Sequence, residues 1–209
     1  MNDFENNQEE TGQDENKIKV ILVGQMKVGK TNLINIVNKI DFQENTLTSS
    51  TTSISEKTII LNNNKYILNI WDTMGQEKLR ELVSIFFKNS KIVIFVYDVT
   101  DEYTFTEIDN YWYPKIKSTF GDNIILGLLG NKIDLVEQEV VNEERGNKYA
   151  DSIGARFGLT SAKTERNSFI IFLKSLLEDY LKKFKPEKST SFTLEKQNVT
   201  EVPKKKKPC

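Results

Sequence analysis

Blocks of apolar residues alternate with mixed polar and apolar segments between residues 17 and 181. Six blocks are short and continuous, as expected of buried strands, and helical spacing of apolar residues follows most of them. The predicted strands are 18–23, 56–61, 66–71, 92–97, 124–130 and 155–159, with Asn62-Asn63-Asn64 as the turn between the second and third. The predicted helices are 30–40, 105–118, 142–153 and 168–181.

The last predicted helix carries an apolar face, which we interpret as a core-packing surface rather than a ligand site. Its residues are Phe169, Phe172, Leu173, Leu176, Leu177 and Tyr180. Alternation of strands and helices favours right-handed crossovers and parallel strand pairing. The sequence therefore predicts an α/β fold, a doubly wound, six-stranded, mostly parallel sheet with helices on both faces.

The turn between the first strand and the first helix carries the clearest chemical pattern. Residues 24–31 read Gly-Gln-Met-Lys-Val-Gly-Lys-Thr, a complete G-x-x-x-x-G-K-[ST] phosphate-binding loop. Its glycines let backbone N–H groups surround phosphate oxygens, Lys30 reaches the β- and γ-phosphates, and the Thr31 hydroxyl can bind Mg²⁺. A chance glycine turn is the alternative, and the flanking strand and helix make it less favourable.

A second candidate segment, Asp72-Thr73-Met74-Gly75-Gln76, follows the third strand. Asp72 can hold Mg²⁺ through its water shell, the Gly75 N–H can approach a γ-phosphate, and Gln76 can orient an attacking water. Alone, this pattern also describes an ordinary turn.

Two further segments follow the fifth and sixth strands. In Asn131-Lys132-Ile133-Asp134, one carboxylate can accept hydrogen bonds from both N1–H and the exocyclic amine of guanine, which adenine cannot supply. In Thr160-Ser161-Ala162-Lys163, a backbone N–H can meet the guanine O6 and the Lys163 stem can cover the base. Each could be a solvated loop by itself. All four segments end predicted strands, which is where open α/β sheets bind ligands.

With these motifs in place, residues 17–181 resemble the Ras superfamily of small GTPases, and most closely the Rab family. Rab-like stretches are Lys57-Thr58-Ile59, Ile70-Trp71-Asp72-Thr73, Phe86-Phe87-Lys88 and Phe95-Val96-Tyr97-Asp98-Val99-Thr100. The resemblance implies a P-loop small-GTPase fold and a GDP/GTP switch that hydrolyses GTP, requires Mg²⁺ and regulates membrane traffic.

The resemblance also implies roles for individual residues. The catalytic residues would be Gln76 and Lys30, and the Mg²⁺ ligands Thr31, Ser49 and Asp72. The nucleotide-binding residues would be Gly24, Met26, Lys27, Val28, Gly29, Lys30, Thr31, Asn32, Phe42, Ser49, Asp72, Gly75, Asn131, Lys132, Asp134, Ser161, Ala162 and Lys163. Phe42 could instead be a core residue at a helix end. Thr48, Ser50 or Thr51 could replace Ser49 as the metal ligand.

Several positions depart from the family pattern. Met26 and Lys27 stand where relatives favour small residues, Met74 replaces the usual alanine, and Leu159 replaces the usual glutamate. A bulky Met26 near the γ-phosphate could obstruct the attacking water or an arginine finger. The alternative function is therefore a nucleotide-loaded binding module with negligible hydrolysis.

Composition adds two unequal ends to this domain. The chain has 209 residues, 38% hydrophobic content and a net charge of −1. Residues 1–16 carry six acidic side chains and no basic one, so we expect a disordered, solubilising extension. Residues 182–209 hold nine lysines and three glutamates and form the predicted flexible basic tail.

There is no histidine and one cysteine, which excludes Cys–His nucleophiles and disulfides within the chain and favours a cytosolic location.

The basic tail ends in four consecutive lysines, Pro208 and Cys209. One lipid chain binds membranes only marginally, and nearby lysines add affinity for an anionic leaflet. The arrangement resembles Rab tails, which are geranylgeranylated, and it predicts a peripheral protein on the cytosolic face of an intracellular membrane. An unmodified thiol and a nucleic-acid patch are the alternatives, and the absence of interleaved aromatic residues disfavours the second.

The family resemblance also implies partners. They are an exchange factor, a GTPase-activating protein, effectors at the switch segments and a lipid-transfer escort for a prenylated Cys209. The protein itself is expected to be a monomer.

Overall fold

Six strands form one sheet in the order β2-β3-β1-β4-β5-β6. The structure is a computed structural model that describes residues 16–44, 53–72 and 87–185. Its strands are β1 (Lys17–Val23), β2 (Ser53–Leu61), β3 (Asn64–Asp72), β4 (Ile92–Asp98), β5 (Ile125–Asn131) and β6 (Arg156–Thr160). Every strand contains its predicted apolar run or most of it.

Only β2 runs against its neighbour. Asn62 and Asn63, with φ angles of 48° and 60°, form a two-residue turn that pairs Leu61 with Asn64. Positive φ at both central residues is the geometry of a tight hairpin, and asparagine tolerates it better than most residues. All other strand pairs are parallel, so the prediction of a mostly parallel six-stranded sheet is confirmed.

The helices are α1 (Lys30–Val37), α2 (Glu102–Glu107), α3 (Tyr113–Phe120), α4 (Glu143–Ile153) and α5 (Arg166–Phe184), with a short 3₁₀ helix at Val136–Gln138. The predicted α1 is three residues too long. The backbone turns left-handed at Lys39, with φ 59°, and this ends the helix.

The single helix predicted over 105–118 was wrong in its start and in its regularity. It begins at Glu102, because the Asp101 carboxylate caps the helix by accepting from the Tyr103 N–H. A π-helical segment, Ile108–Trp112, then separates α2 from α3. Pro114 follows directly and has no N–H to continue a regular helical ladder, which accounts for the interruption.

The two faces of the sheet bury separate apolar clusters. Ile18 and Leu22 of β1 face the cluster formed with α1 and α5, and Ile21 and Val23 face the cluster formed with α2, α3 and α4. This alternation explains why the strand reads as a continuous apolar run. The predicted apolar face of α5 is buried as expected, and the doubly wound arrangement is confirmed.

The parallel strands bring five polar or loop-forming termini to one edge of the sheet. Those termini follow β1 at Val23, β3 at Asp72, β4 at Asp98, β5 at Asn131 and β6 at Thr160. The pairing register keeps them level, since Leu22 lies opposite Asp72 and Asn131 opposite both Asp98 and Thr160. Residues predicted from four separate segments therefore meet at one edge.

The predicted division of the chain at 16/17 and 181/182 stays a prediction. Helix α5 continues three residues beyond 181, and both chain ends lie outside the described residues. None of the described helices is long and apolar enough to span a bilayer.

Candidate functional site

The loop after β1 depends on two glycines. Gly24 has a φ of 148°, and a Cβ atom there would lie 2.1 Å from the Val96 carbonyl oxygen of β4. Gly29 has a φ of 99°, and its Cβ would lie 2.3 Å from Nδ2 of Asn131. Any side chain at either position would collide with the neighbouring strand end, so the loop can pack this closely only with glycine.

Lys30 is the buried cation of this loop, with 5% of its surface exposed. Its Nζ donates to the carbonyl oxygens of Gly24 at 2.8 Å and Gln25 at 2.7 Å. Burial lowers the pKa of Lys30 to about 8, and the Asp72 carboxylate acts in the opposite direction. An ammonium group desolvated in this way is stabilised by any anion that enters the loop.

Thr31 and Asp72 bring two hard oxygen atoms together. The Thr31 hydroxyl donates to Oδ2 of Asp72 at 2.9 Å, and Asp72 is 2% exposed at the end of β3. A hydroxyl next to a buried carboxylate is the donor set that Mg²⁺ prefers. The third predicted ligand, Ser49, lies outside the described residues, as do Thr48, Ser50, Thr51, Gly75 and Gln76.

Asn131 connects the loop after β1 to the loop after β6. Its Nδ2 donates to the Val28 carbonyl at 2.8 Å, and its Oδ1 accepts from the Ala162 N–H at 3.2 Å. The side chain is 1% exposed, so these hydrogen bonds are shielded from water. The amide therefore fixes the spacing between the two loops, whatever it contacts in a bound nucleotide.

Ser161 positions the carboxylate of Asp134. The Ser161 hydroxyl donates to Oδ1 of Asp134 at 2.5 Å and accepts from the N–H groups of Lys163 and Thr164 at 3.1 and 3.0 Å. The turn after β6 thus holds the hydroxyl, and the hydroxyl holds the carboxylate. Asp134 is only partly buried and can receive donors from a ligand.

Two lysines and a phenylalanine border the same region. Lys163 places its Nζ 5.8 Å from the centre of the Phe42 ring. Phe42 lies five residues beyond the end of α1 and packs partly against the α1–α5 core. It is therefore not at the helix end, but its core contact is the one that the alternative interpretation expects. Lys132 has a left-handed φ of 71°, and its Nζ contacts Oδ2 of Asp98 at 2.6 Å.

The other predicted residues of the loop are spread between core and surface. Val28 is fully buried, and Met26 is 39% exposed. Lys27 is exposed and adopts a left-handed φ of 65°. Asn32 is buried, donates to the Gln43 carbonyl at 3.1 Å and accepts from the Gln43 N–H at 3.4 Å, which ties the segment after α1 back to the helix.

Two residues of the site, Asp98 and Gln25, were missed by sequence reasoning. Asp98 holds Lys132 and also accepts from the Thr100 hydroxyl at 2.7 Å. Its place at the end of β4, level with the other polar strand ends, was a usable signal. Gln25, 6% exposed, donates to Oε2 of Glu107 at 2.8 Å and links the loop to α2 across 82 residues of sequence. No local pattern indicates that pair.

Comparison with known proteins gives consistent results. Residues 19–180 match the sequence profile of the Ras family. The chain is 38% identical to the Ras-related protein Rab-21 of Geodia cydonium over 165 residues, which is 78% of this chain and 72% of the relative. It is 36% identical to Rab-21 of Homo sapiens over 155 residues, 74% of this chain and 68% of the relative. It is also 36% identical to Rab-12 of Mus musculus over 168 residues, 80% and 68% of the two chains.

Proposed function

The chain belongs to the Rab branch of the Ras superfamily, so it is a small GTPase that binds GTP and GDP with Mg²⁺ and acts in membrane trafficking. From this premise we propose that its nucleotide lies along the carboxyl edge of the sheet, where the parallel strands end. The observation that carries this proposal is the side chain of Asn131, which joins the phosphate-loop candidate to the loop after β6. One bound molecule can then touch both loops.

The phosphates occupy the turn around Lys30. Its ammonium group, now held by two loop carbonyls, redirects hydrogen bonds to β- and γ-phosphate oxygens, and the backbone N–H groups between Gly24 and Gly29 add further donors. Thr31 and Asp72 would hold Mg²⁺, and their 2.9 Å contact supports this pairing. A Mg²⁺ ion held there would offset the negative charge that develops on the phosphates.

The base occupies the region between Asp134 and Phe42. Asp134, oriented by Ser161, accepts from N1–H and the exocyclic amine of guanine. Phe42 and the stem of Lys163, which lie beside each other, supply an aromatic edge and an aliphatic cover for the ring. Lys132, held by Asp98, covers the other side.

Hydrolysis is the attack of a water molecule on the γ-phosphorus with release of phosphate. Gln76 orients that water, the Gly75 N–H responds to the γ-phosphate, and Lys30 stabilises the charge of the transferring group. Both switch residues are assigned from the sequence. The relatives named above give no support to the alternative of a binding module that lacks hydrolysis.

Family membership implies exchange factors, GTPase-activating proteins and effectors as partners, and association with membranes. The finer assignments are part of the proposal. Cys209 carries a lipid, an escort protein transfers the lipidated chain, the protein is a monomer, and it acts on the cytosolic face. The lysines next to Cys209 support the first of these, because basic residues and a lipid together anchor a chain that neither would hold alone.

Substitution at Thr31 tests the site. Thr31→Asn should weaken GTP binding more than GDP binding, because a Mg²⁺ ion that would offset the charge of the γ-phosphate loses a ligand. Titration of both nucleotides with excess Mg²⁺ measures this, and Thr119→Asn, at an exposed position on α3, is the matched control. An equal loss for GTP and GDP would mean that Thr31 only supports the loop.

A further inference from the structure

A second concave surface lies at the edge of the sheet opposite the candidate nucleotide site. This basal groove has a volume of about 370 Å³ and is bordered by 124–126, Gly154, Arg156, Asp179, Lys182 and Lys183. Strands β5 and β6 begin here and α5 ends here. The two sites are therefore separated by the full length of the strands, and nothing in the proposed nucleotide chemistry uses this surface.

Charge in the basal groove is unbalanced. Arg156 is neutralised by Asp179, whose carboxylate it contacts through Nε at 2.5 Å and through a second guanidinium nitrogen at 2.7 Å. Lys183 donates to the carbonyl oxygens of Asp122 and Ile124, which fix its position. The Asp122 carboxylate interacts with Lys183 electrostatically, but its ion pair is with Lys117. Lys182 is exposed and forms no ion pair within the described part of the chain. The groove thus presents two exposed lysines beside Leu126, which is the partly exposed residue of a wall whose other two members, Ile124 and Ile125, are buried.

The acidic segment that precedes β1 joins the domain close to this groove. Val20 of β1, Ile92 of β4 and Ile125 of β5 lie level across three adjacent strands. Asn16 lies four residues before Val20, and β5 lies two strands away from β1. The distance from Asn16 to the start of β5 is therefore roughly 15–20 Å. The Asn16 carbonyl accepts from the Ile67 N–H at 2.9 Å and anchors this point. Fifteen preceding residues can extend about 50 Å, so they reach the groove easily.

The composition of residues 1–15 complements the groove. Their charged side chains are all acidic: Asp3, Glu5, Glu9, Glu10, Asp14 and Glu15. Phe4 stands between two of them and is the one aromatic residue of the segment. An apolar ring flanked by carboxylates matches a surface on which apolar side chains lie beside lysine ammonium groups.

We propose that residues 1–15 dock on the basal groove of their own chain, with Phe4 against the 124–126 wall and its neighbouring carboxylates on Lys182 and Lys183. Attachment through Asn16 makes the encounter intramolecular, with an effective concentration in the millimolar range. The docked segment covers lysines at the point where α5 leads into the basic tail. An anionic surface that approaches this edge must therefore displace it. The inference does not depend on the nucleotide-site assignments.

A spin label on the acidic segment tests the docking directly. In a Cys209→Ser, Asn7→Cys chain loaded with GDP, a nitroxide at residue 7 should reduce the amide signals of Gly154, Lys182 and Lys183 by roughly half, since a millimolar effective concentration populates even a weak contact. Lys182→Glu should restore those signals. Lys174→Glu, at an exposed position two turns earlier on α5, should leave the broadening unchanged.

A salt titration of the spin-labelled protein without substitutions in the groove provides a second test. Its result does not depend on the folding of a groove variant. Broadening should disappear at about 1 M salt, where the screening length falls to about 3 Å. Broadening that is absent from the groove, that survives Lys182→Glu and high salt, or that is confined to residues 186–209 would overturn the proposal.

Discussion

At the scale of single residues, a few buried side chains hold the candidate site together through hydrogen bonds to loop backbone. Asn131 spans two loops, and Ser161 holds Asp134. Because Asn131 is withdrawn from water, its loss would leave the buried groups that it contacts unsatisfied, at a cost of about 1–3 kcal/mol for each. We therefore expect Asn131 to determine the spacing of the loops and Asp134 to determine base selectivity.

Asp134 should determine the preference for guanine. Asp134→Asn replaces an acceptor pair by an amide that cannot accept both guanine donors, so GTP affinity should fall on the order of 10²–10⁴-fold and preference should shift toward xanthine nucleotides. Competition binding with GTP and XTP measures the change. Asp101→Asn is a suitable control, because asparagine caps α2 as well as aspartate does. Unchanged GTP affinity in Asp134→Asn would remove this residue from base recognition.

Met26 should slow intrinsic hydrolysis. Its side chain is 39% exposed and is therefore not packed into the core, so it is available to crowd a water that approaches the γ-phosphate. Met26→Gly should raise the single-turnover rate, by up to about 10²-fold if the water is misplaced by about 1 Å in the wild type. Met26→Leu keeps the bulk and should behave like the wild type. Equal rates in all three proteins would show that the thioether does not reach the water.

The sequence predicted these residues better than it predicted their surroundings. Lys30, Thr31 and Asp134 were recognisable because phosphate and guanine chemistry requires fixed residue types at fixed positions after a strand. The side chains that hold them were less visible. Ser161 was expected to contact the nucleotide, and its hydrogen bond to Asp134 depends on how the turns after β5 and β6 pack.

At the scale of elements, periodicity located the strands and helices, and local chemistry determined where they end. Strand positions were predictable because continuous apolar runs are buried on both faces of a parallel sheet. The break between α2 and α3 was not predicted, since apolar spacing continues through it. Pro114 was the available signal. The antiparallel β2–β3 pair follows from the Asn62-Asn63 turn, which was anticipated.

The contact between the phosphate loop and α2 should govern nucleotide release. Gln25→Ala and Glu107→Ala each remove the 2.8 Å hydrogen bond, and each should accelerate GDP release about 5- to 30-fold, as expected for loss of a charge-assisted hydrogen bond worth about 1–2 kcal/mol. The double variant should be no faster than the faster single variant, which shows that both residues act through one contact. Release of a fluorescent GDP analogue provides the rates. Fully additive effects would contradict this coupling.

At the scale of the whole molecule, the sheet separates two kinds of surface. The carboxyl edge carries the residues of the proposed nucleotide site. The opposite edge carries the basal groove, the start of β1 and the end of α5. Two oppositely charged segments join the domain at this second edge, since an acidic segment precedes β1 and a lysine-rich segment follows α5. An overall charge of −1 conceals this arrangement.

Membrane attachment should need both the thiol and the lysines of the tail. Cys209→Ser should release the protein from membranes, and changing Lys204 to Lys207 into glutamine should weaken attachment, since each lysine contributes about 1 kcal/mol at an anionic leaflet. Lys148→Gln with Lys174→Gln, at exposed positions of the domain, is the control. Cell fractionation reports the distribution. If Cys209→Ser pellets with membranes like the wild type, the thiol carries no anchor.

The central claim is that the carboxyl edge of the sheet forms a magnesium-dependent, guanine-specific hydrolytic site. Single-turnover hydrolysis of GTP and of ATP, each with Mg²⁺ and with a chelator, tests it most directly. We predict slow hydrolysis of GTP, with a half-time on the order of an hour without an activating partner. We also predict loss of that activity with the chelator or in Gln76→Leu, and no turnover of ATP. GTP hydrolysis at the same rate without Mg²⁺, or equal hydrolysis of ATP, would contradict the account.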